Sequence, residues 1–474
     1  MYDIIVIGGG AAGLTVAAGA SSLGAKVALV EKSKLLGGDC LHFGCVPSKA
    51  LISIANQVAE ARKTTKFGMD VSGDINVEKV MEQVQSSIRT IQEHDDPDRF
   101  EKLGVDVLFG AASFITSTKI KVGESKTIEG KRVVVATGSS PFIPPIEGLK
   151  DIHYWTNETV FTMKQLPKRL LVIGGGAIGM ELSQAFARLG SEVTLVERGK
   201  TLGKTGDKEL VGKVTELLER EMTVFTSTDV EKISTTNEGK IIALRDQTTT
   251  FTLEVDEIIV AAGRKPNTRE LNLDGVGVKV DERGHILIDR YGRSSIPTIF
   301  GIGDVNGQYG FTHAAGMEGK AVVQTAVLGI PSKLSYESFP WITFTDPEWF
   351  QMGLTEESAV QRFGKENINI YKSSLDEVDR FIAEHRTEGI VKMITKKDGT
   401  IIGAHALGVG AGDWMQTVVY AVQKKQKIGS LSRMIYPYPN RAGAVQKTSD
   451  LYWREKLFNG PFTKITKKYI QWFR

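Results

Sequence analysis

Two nearly identical strings, DIIVIGGGAAG at 3–13 and RLLVIGGGAIG at 169–179, constrain this chain more than any other feature. Each is an apolar, β-branched run ending in G-x-G-x-x-G: Gly8, Gly10 and Gly13, then Gly174, Gly176 and Gly179. A helix-like segment follows, then a second strand ending in an acid (KVALVE at Glu31, EVTLVE at Glu197), in both copies 23 residues after the first glycine. The first glycine permits the tight strand-to-helix turn. The second lets the backbone approach a pyrophosphate at the positive helix end, and the third lets the helix lie close on the sheet. The acid then reaches a ribose hydroxyl. One such string is as readily a plain turn, but two in the full strand–glycine–helix–strand–acid order predict two dinucleotide-binding units.

A second echo closes each unit. KRVVVATGSSP at 131–141 and DEIIVAAGRKPN at 256–267 are β-branched strands that stop at a glycine turn. A third strand, PTIFGIGDVNG at 297–307, ends on Gly303-Asp304. A carboxylate at the C-terminal edge of an open sheet stands where ligands bind, although a turn or helix cap uses the same residue. From about 337 the texture changes. Short strands expected to alternate (VKMITK, IIGAHAL), a helix-like WMQTVVYAVQKK and a Pro-rich corner YPYPN at 436–440 follow without a glycine fingerprint. The expected fold class is α/β, with two Rossmann-like dinucleotide-binding domains and a C-terminal α+β domain.

Composition excludes more than it selects. At 41% hydrophobic and 24% charged the chain is an ordinary globular one, and a net charge of +3 is too small to argue for a nucleic-acid partner. No uninterrupted apolar run approaches the ~20 residues of a bilayer span. The opening MYDIIVIGGGAAGLTVAAGA lacks the basic region of a signal peptide, so a cytoplasmic location is expected.

Only two cysteines occur in 474 residues, and GGDCLHFGCVPSK holds both, Cys40 and Cys45. Two thiols cannot staple a chain this long, and the C-x-x-x-x-C spacing without neighbouring ligands does not build a tetrahedral metal site, so no metal is expected. A working dithiol needs one accessible sulfur to attack a substrate and one held against an electron source. VPSKALI reads as a helix start, which would stabilise a Cys45 thiolate; two ordinary thiols are the alternative.

At this string the chain resembles the class I pyridine-nucleotide disulfide oxidoreductases, FAD-dependent relatives of lipoamide dehydrogenase, glutathione reductase and mercuric reductase. The resemblance takes in both fingerprints, ATG at 136–138, AGRKPN at 262–267, GIGD at 301–304 and the opening of the C-terminal domain. It implies an FAD-binding domain in two parts (1–149 and 268–336), an NAD(P)-binding domain (150–267), an interface domain (337–450) and a basic aromatic tail (451–474). Gly8, Gly10, Gly13 and Glu31 would hold the ADP part of FAD and Asp304 the ribityl chain. Gly174, Gly176, Gly179 and Glu197 would hold the nicotinamide dinucleotide. Gly38, Thr137, Gly138, Gly263 and Gly303 are further implied cofactor-binding positions. Lys49 and Glu181 match a Lys–Glu pair beside the flavin ring. Hydride would pass from nicotinamide to flavin and two electrons on to a Cys40–Cys45 disulfide, with Cys45 facing the flavin and Cys40 the substrate. The resemblance also implies a homodimer whose C-terminal domain completes the partner's site. A carboxylate at Glu197 favours NADH over NADPH, although Arg198 and Lys200 adjoin it.

Two departures bear on the acceptor. Disulfide-reducing relatives carry a His near the C-terminus, oriented by a Glu five residues on. Here Tyr438 and Gly443 occupy those places, and none of the seven histidines lies beyond His405. A Tyr of pKa ~10 is a poor base at neutral pH, so Tyr438 is either a hydrogen-bonding catalytic residue or a packing residue. A Tyr here is similar to the mercuric-reductase branch, yet that branch delivers mercury through further C-terminal cysteines, which this chain lacks. The expectation is a mercuric-reductase-like enzyme with a small-molecule electron acceptor. Its rivals are a dihydrolipoyl dehydrogenase and a flavoprotein redox sensor or membrane-docked electron-transfer partner. The tail 451–474 has six Lys/Arg, one Glu and seven aromatics. It reads first as a solvated helix, with weak contact to an anionic membrane surface as the alternative.

Overall fold

The computed structural model describes residues 1–236, 239–459 and 462–474. They form two compact units: Met1–Gly174 with Ala185–Val193 and Val230–Ser335, and Gly175–Gln184 with Thr194–Asp229 and Tyr336–Arg474.

The first unit is built on a five-stranded parallel sheet. Its spatial order is Ile299–Gly301, Val133–Val135, Ile4–Ile7, Val27–Glu31 and Val105–Phe109. The IIVI run shows why the strand reads as continuously apolar. Ile4 and Val6 point into a core with Leu14, Val16 and Val322, whereas Ile5 and Ile7 point into another with Ile286 and Ile299. Both faces are covered, as a parallel sheet requires. The helices Ala11–Ser22 and Thr312–Ala326 cover the first of these faces.

The two glycine fingerprints bend in the same way. Ile4–Ile7 ends at Gly8 with φ 109°, and Arg169–Ile173 ends at Gly174 with φ 114°. A Cβ on Gly8 would lie 2.3 Å from the Ala136 carbonyl oxygen, and one on Gly174 would lie 2.4 Å from that of Ala261. Ala136 and Ala261 each follow the strand paired parallel to the fingerprint strand, Val133–Val135 and Glu257–Val260. Both positions therefore need glycine twice over, for left-handed φ and for the close carbonyl. In the second unit, Thr194–Val196 pairs parallel with Thr223–Phe225.

The C-terminal part of the second unit is a five-stranded antiparallel sheet, ordered Pro340–Thr343, Glu348–Gly353, Ile401–Gly408, Ile390–Lys396 and Ile368–Ser374. One expectation is corrected here. VKMITK and IIGAHAL are not alternating half-exposed strands; both are buried almost throughout. Val391, Met393, Ala404 and Ala406 pack into a core with Phe381, Trp414 and Val445. The other face carries Lys392 and His405, also fully buried, with Lys392 paired to Asp207. Polar residues at those positions mark a second buried face, which the sequence pattern alone reports as solvent. The helix-like WMQTVVYAVQKK is broken at Met415 into Ala411–Trp414 and Gln416–Gln423. The tail continues from the helix Gly443–Arg454 through a π turn to the helix Phe462–Trp472, which leaves Ile465, Tyr469 and Trp472 exposed. Among the described residues no helix is long and apolar enough to cross a membrane.

Candidate active site

Cys40 lies in the short helix Gly38–His42, and Cys45 is the first residue of the helix Cys45–Lys63, so the C-x-x-x-x-C loop brings both sulfurs to one helix start. Both are free thiols; Cys40 is half-buried and Cys45 exposed. Cys45 Sγ lies 3.3 Å from Thr312 Oγ1, at the start of another helix. One turn on, Lys49 Nζ donates to Ser48 Oγ at 3.3 Å. Hydrogen bonding between the two thiols divides them: it pushes the Cys40 thiol far up, reinforced by burial. The same bond brings the Cys45 thiol down to about 6; burial and Asp39 oppose this, and Thr312 and Lys49 support it. Both trends favour the proton on Cys40 and the charge on Cys45.

The loop is clamped at both ends. Asp39 Oδ1 receives Arg264 Nη2 at 3.0 Å and Asn157 Nδ2 at 3.2 Å, and Asn157 Nδ2 also donates to the Phe43 carbonyl at 3.1 Å. Arg264 Nε donates to Ser139 Oγ at 2.7 Å, and that hydroxyl donates in turn to Asp304. Sequence reasoning missed Asp39, Asn157, Arg264 and Thr312. Arg264 sits inside the AGRKPN string, but for Asn157 and Thr312 the only signal is a polar residue beside a turn or helix start.

The two turn motifs meet in one place. ATG continues into Ser139–Pro141, which pairs antiparallel with Arg264–Pro266. Asn267 Nδ2 donates to the Thr137 carbonyl at 3.0 Å, Thr137 Oγ1 donates to the Asn267 carbonyl at 2.7 Å, and the Asn267 amide donates to the Gly138 carbonyl at 3.0 Å. Gly263 accepts the Phe142 amide at 2.9 Å through its carbonyl. Gly303 donates its amide to the fully buried Glu318 at 2.7 Å, which sets the turn that presents Asp304.

The fingerprint acids are held alike. Glu31 accepts the Gly9 amide at 2.6 Å and the Ser33 amide at 2.7 Å. Glu197 accepts the Gly175 amide at 2.7 Å and the Gly199 amide at 2.5 Å. Each carboxylate is thus fixed by the middle of its own glycine string and by the residue two positions after it. Gly176 immediately precedes the helix Ala177–Leu189, and Gly179 lies within it.

Lys49 belongs to the first unit and Glu181 to the second, where Glu181 is buried and accepts the Phe344 amide at 2.9 Å. Tyr438 is 81% exposed and donates its hydroxyl to Asp379 Oδ2 at 2.9 Å; that bond holds the phenol above its usual pKa. Gly443, where a Glu would orient a His, opens the helix Gly443–Arg454.

The family model described as pyridine nucleotide-disulphide oxidoreductase matches residues 2–319, and its dimerisation-domain counterpart matches 339–449. The chain belongs to this family. A mercuric reductase of Lysinibacillus sphaericus is 32% identical over 440 residues, spanning 92% of this chain and 80% of that protein. A mitochondrial dihydrolipoyl dehydrogenase of Dictyostelium discoideum is 32% identical over 464 residues, 94% of this chain and 93% of that protein. In fold the chain is also similar to the HOCl-induced flavoprotein disulfide reductase RclA of Escherichia coli, with a TM-score of 0.85 at 24% identity over 95% of this chain and 100% of that one. This pyridine nucleotide-disulphide oxidoreductase is accordingly an FAD-dependent enzyme that uses a pyridine nucleotide.

Its residues fit a flavin dinucleotide. A Cβ on Gly38 would lie 2.7 Å from Gly10 Cα, so the fingerprint and the dithiol loop approach backbone to backbone, with no side chain between them, where a pyrophosphate needs amides and no bulk. Glu31 is pre-set at the end of the second strand, and Asp304 stands at the C-terminal edge of the sheet.

Proposed function

We propose that this chain is an NADH-dependent oxidoreductase whose Cys40–Cys45 pair delivers two electrons to a small acceptor. The observation that carries the reading is the placing of the two free thiols together at one helix start, hydrogen-bonded so that the anion is favoured on Cys45. Gly8, Gly10, Gly13 and Glu31, with Gly38, Thr137, Gly138, Gly303 and Asp304, are assigned to FAD. Bound there, FAD supplies the two-electron exchange between the nicotinamide and the dithiol. Gly174, Gly176, Gly179, Gly263 and Glu197 are assigned to the nicotinamide dinucleotide. Glu197 offers its remaining lone pairs to a ribose 2′-hydroxyl and repels a 2′-phosphate, which favours NADH.

Reduction is balanced by the protein's own groups. The S–S bond breaks with gain of two electrons; one proton rests on Cys40 Sγ, and Cys45 is left as thiolate, favoured first by the hydrogen bond from the Cys40 thiol and then by Thr312 and Lys49. Cys40 then meets the acceptor. Tyr438, its proton committed to Asp379, is a poor general base, which disfavours a dihydrolipoyl dehydrogenase role. The dimerisation domain supports a homodimer.

Anaerobic titration of the purified flavoprotein with NADH tests this. Two-electron uptake with a long-wavelength thiolate-to-flavin band is expected, followed by an acceptor screen that includes mercuric ion, copper(II) and lipoamide. Bleaching of the flavin without that band would remove the dithiol from the reaction.

A further inference from the structure

The loop ERGKTLGKTGD runs from Glu197 to Asp207, between the strand Glu192–Val196 and the helix Lys208–Glu219. It folds back onto the second fingerprint. Gly175 donates its amide to Glu197 Oε2 at 2.7 Å and accepts the Gly203 amide at 2.9 Å through its carbonyl, while Glu197 Oε1 takes the Gly199 amide. The buried Leu202 fills the space beside Gly175, where a Cβ would lie 2.5 Å from Leu202 Cδ2. The loop, the glycine string and the carboxylate are thus joined in a closed ring of contacts.

Trp349, in the strand Glu348–Gly353 of the C-terminal sheet, presses on this ring from outside. The far edge of its buried indole lies against two glycines at once: a Cβ on Gly203 would stand 2.5 Å from Cζ3, and one on Gly206 2.2 Å from Cζ2. Gly203 also has a left-handed φ of 51°. Among the described residues the indole Nε1 finds no hydrogen-bond partner, a cost that a Phe at the same position would avoid. What the indole adds is reach, and it reaches the loop.

We propose that Trp349 is a positioning residue for the dinucleotide: by pinning residues 199–206 against Gly175 it holds Glu197 where the carboxylate meets a ribose 2′-hydroxyl, and so sets the preference for a 2′-hydroxyl over a 2′-phosphate. This rests on the assignment of the second fingerprint to the nicotinamide dinucleotide. The contacts run from Trp349 to Gly203, from Gly203 to Gly175 and from Gly175 to Glu197. A loosened carboxylate accepts a hydroxyl less well but also repels a phosphate less. The exposed Arg198, Lys200 and Lys204, on the same loop, are then freer to turn toward a phosphate. The two ligands therefore respond differently, which a general loosening of the fold would not produce.

The test measures binding of ADP-ribose and of 2′-phospho-ADP-ribose to the oxidised flavoprotein by calorimetry, without turnover. Trp349→Phe shortens the ring and keeps the core apolar, and Gly206→Ala fills the slot from the loop side. In each, the expected result is a Kd for ADP-ribose raised roughly tenfold and a Kd for 2′-phospho-ADP-ribose changed less than about twofold, with flavin content unchanged. In the double variant the two effects should not add, since the shorter ring leaves room for the new methyl. Wild-type affinities in both variants would overturn the proposal, as would equal weakening of the two ligands. Glu197→Gln is measured in parallel. An unmoved ratio of the two affinities there would overturn the nicotinamide assignment and this proposal with it; a moved ratio there, with Trp349→Phe unmoved, would overturn the role of Trp349 alone.

Discussion

Lys392→Met probes the buried ion cluster around Asp207. Lys392 Nζ meets Asp207 Oδ1 at 2.9 Å, Glu209 Oε2 at 3.2 Å and Glu356 Oε2 at 2.5 Å. The lysine side chain is 2% exposed and that of Asp207 1%, whereas Glu209 and Glu356 are 33% and 40% exposed and can turn to water when the cation leaves. The cost therefore falls on a stranded Asp207, in the range of ~3–5 kcal/mol for a broken buried pair. Asp207 still accepts the Glu209 amide at 3.2 Å, as cap of the helix Lys208–Glu219, and the Glu356 amide at 3.1 Å. Those bonds place the expected loss near the lower end, about 3 kcal/mol.

The double variant Lys392→Met/Asp207→Asn keeps the cap and removes the stranded charge, so it should recover about 1–2 kcal/mol. Urea unfolding of the intact flavoprotein, with hydrogen exchange over residues 198–219 as the local reporter, measures both. The reasoning is refuted if the double variant is as unstable as the single one, or if the single variant loses less than about 0.5 kcal/mol. Residues 198–207 join Glu197 to this cluster, so the KM for nicotinamide should rise in Lys392→Met while Cys45 alkylation stays unchanged.

The pH dependence has a definite sign. Burial would raise the Asp207 pKa, but the bonds from Lys392 and the Glu356 amide outweigh it and hold it below 3.8. Its contribution is present above that value and is lost as pH falls through the lower folded pKa. Burial keeps His405 neutral, below its ordinary 6.5, so the unfolded chain gains a proton that the folded site refuses and stability starts to fall below about pH 6.5.

Gly8→Ala and Gly174→Ala place a Cβ at 2.3 and 2.4 Å from a carbonyl; the first should cost FAD content and the second nicotinamide KM with FAD retained, read from the flavin absorbance and steady-state kinetics. The reverse pattern would exchange the two assignments. Glu197→Gln should shift the NADH-to-NADPH ratio of kcat/KM by roughly 10- to 100-fold toward NADPH, the worth of a charged hydrogen bond; an unmoved ratio would argue against the ribose contact. Tyr438→Phe should lower acceptor turnover less than about tenfold between pH 6 and 8, since the phenol proton is held by Asp379. A loss beyond about a hundredfold would restore Tyr438 as a proton donor.

Much of the site was legible because the residues concerned are local in the chain. The fingerprint, its acid and the C-x-x-x-x-C loop each lie within one strand–turn–helix segment, where spacing alone dictates geometry. Glu31 and Glu197 are each fixed by amides of their own motif. What was not legible depends on distant pairs. Thr312 meets Cys45, Arg264 and Asn157 clamp Asp39, and Glu318 seats Gly303, and none of these contacts leaves a periodic trace.

By itself the sequence determined the α/β class, the two dinucleotide units, the family and the dithiol, because glycine turns and β-branched runs have few physical solutions. Only the tertiary structure decided the rest. It showed that the C-terminal strands are buried on both faces, because Lys392 finds a carboxylate partner there. It also brought Thr312, 267 positions away in the chain, to within 3.3 Å of Cys45 Sγ, a contact between distant segments that no local spacing encodes.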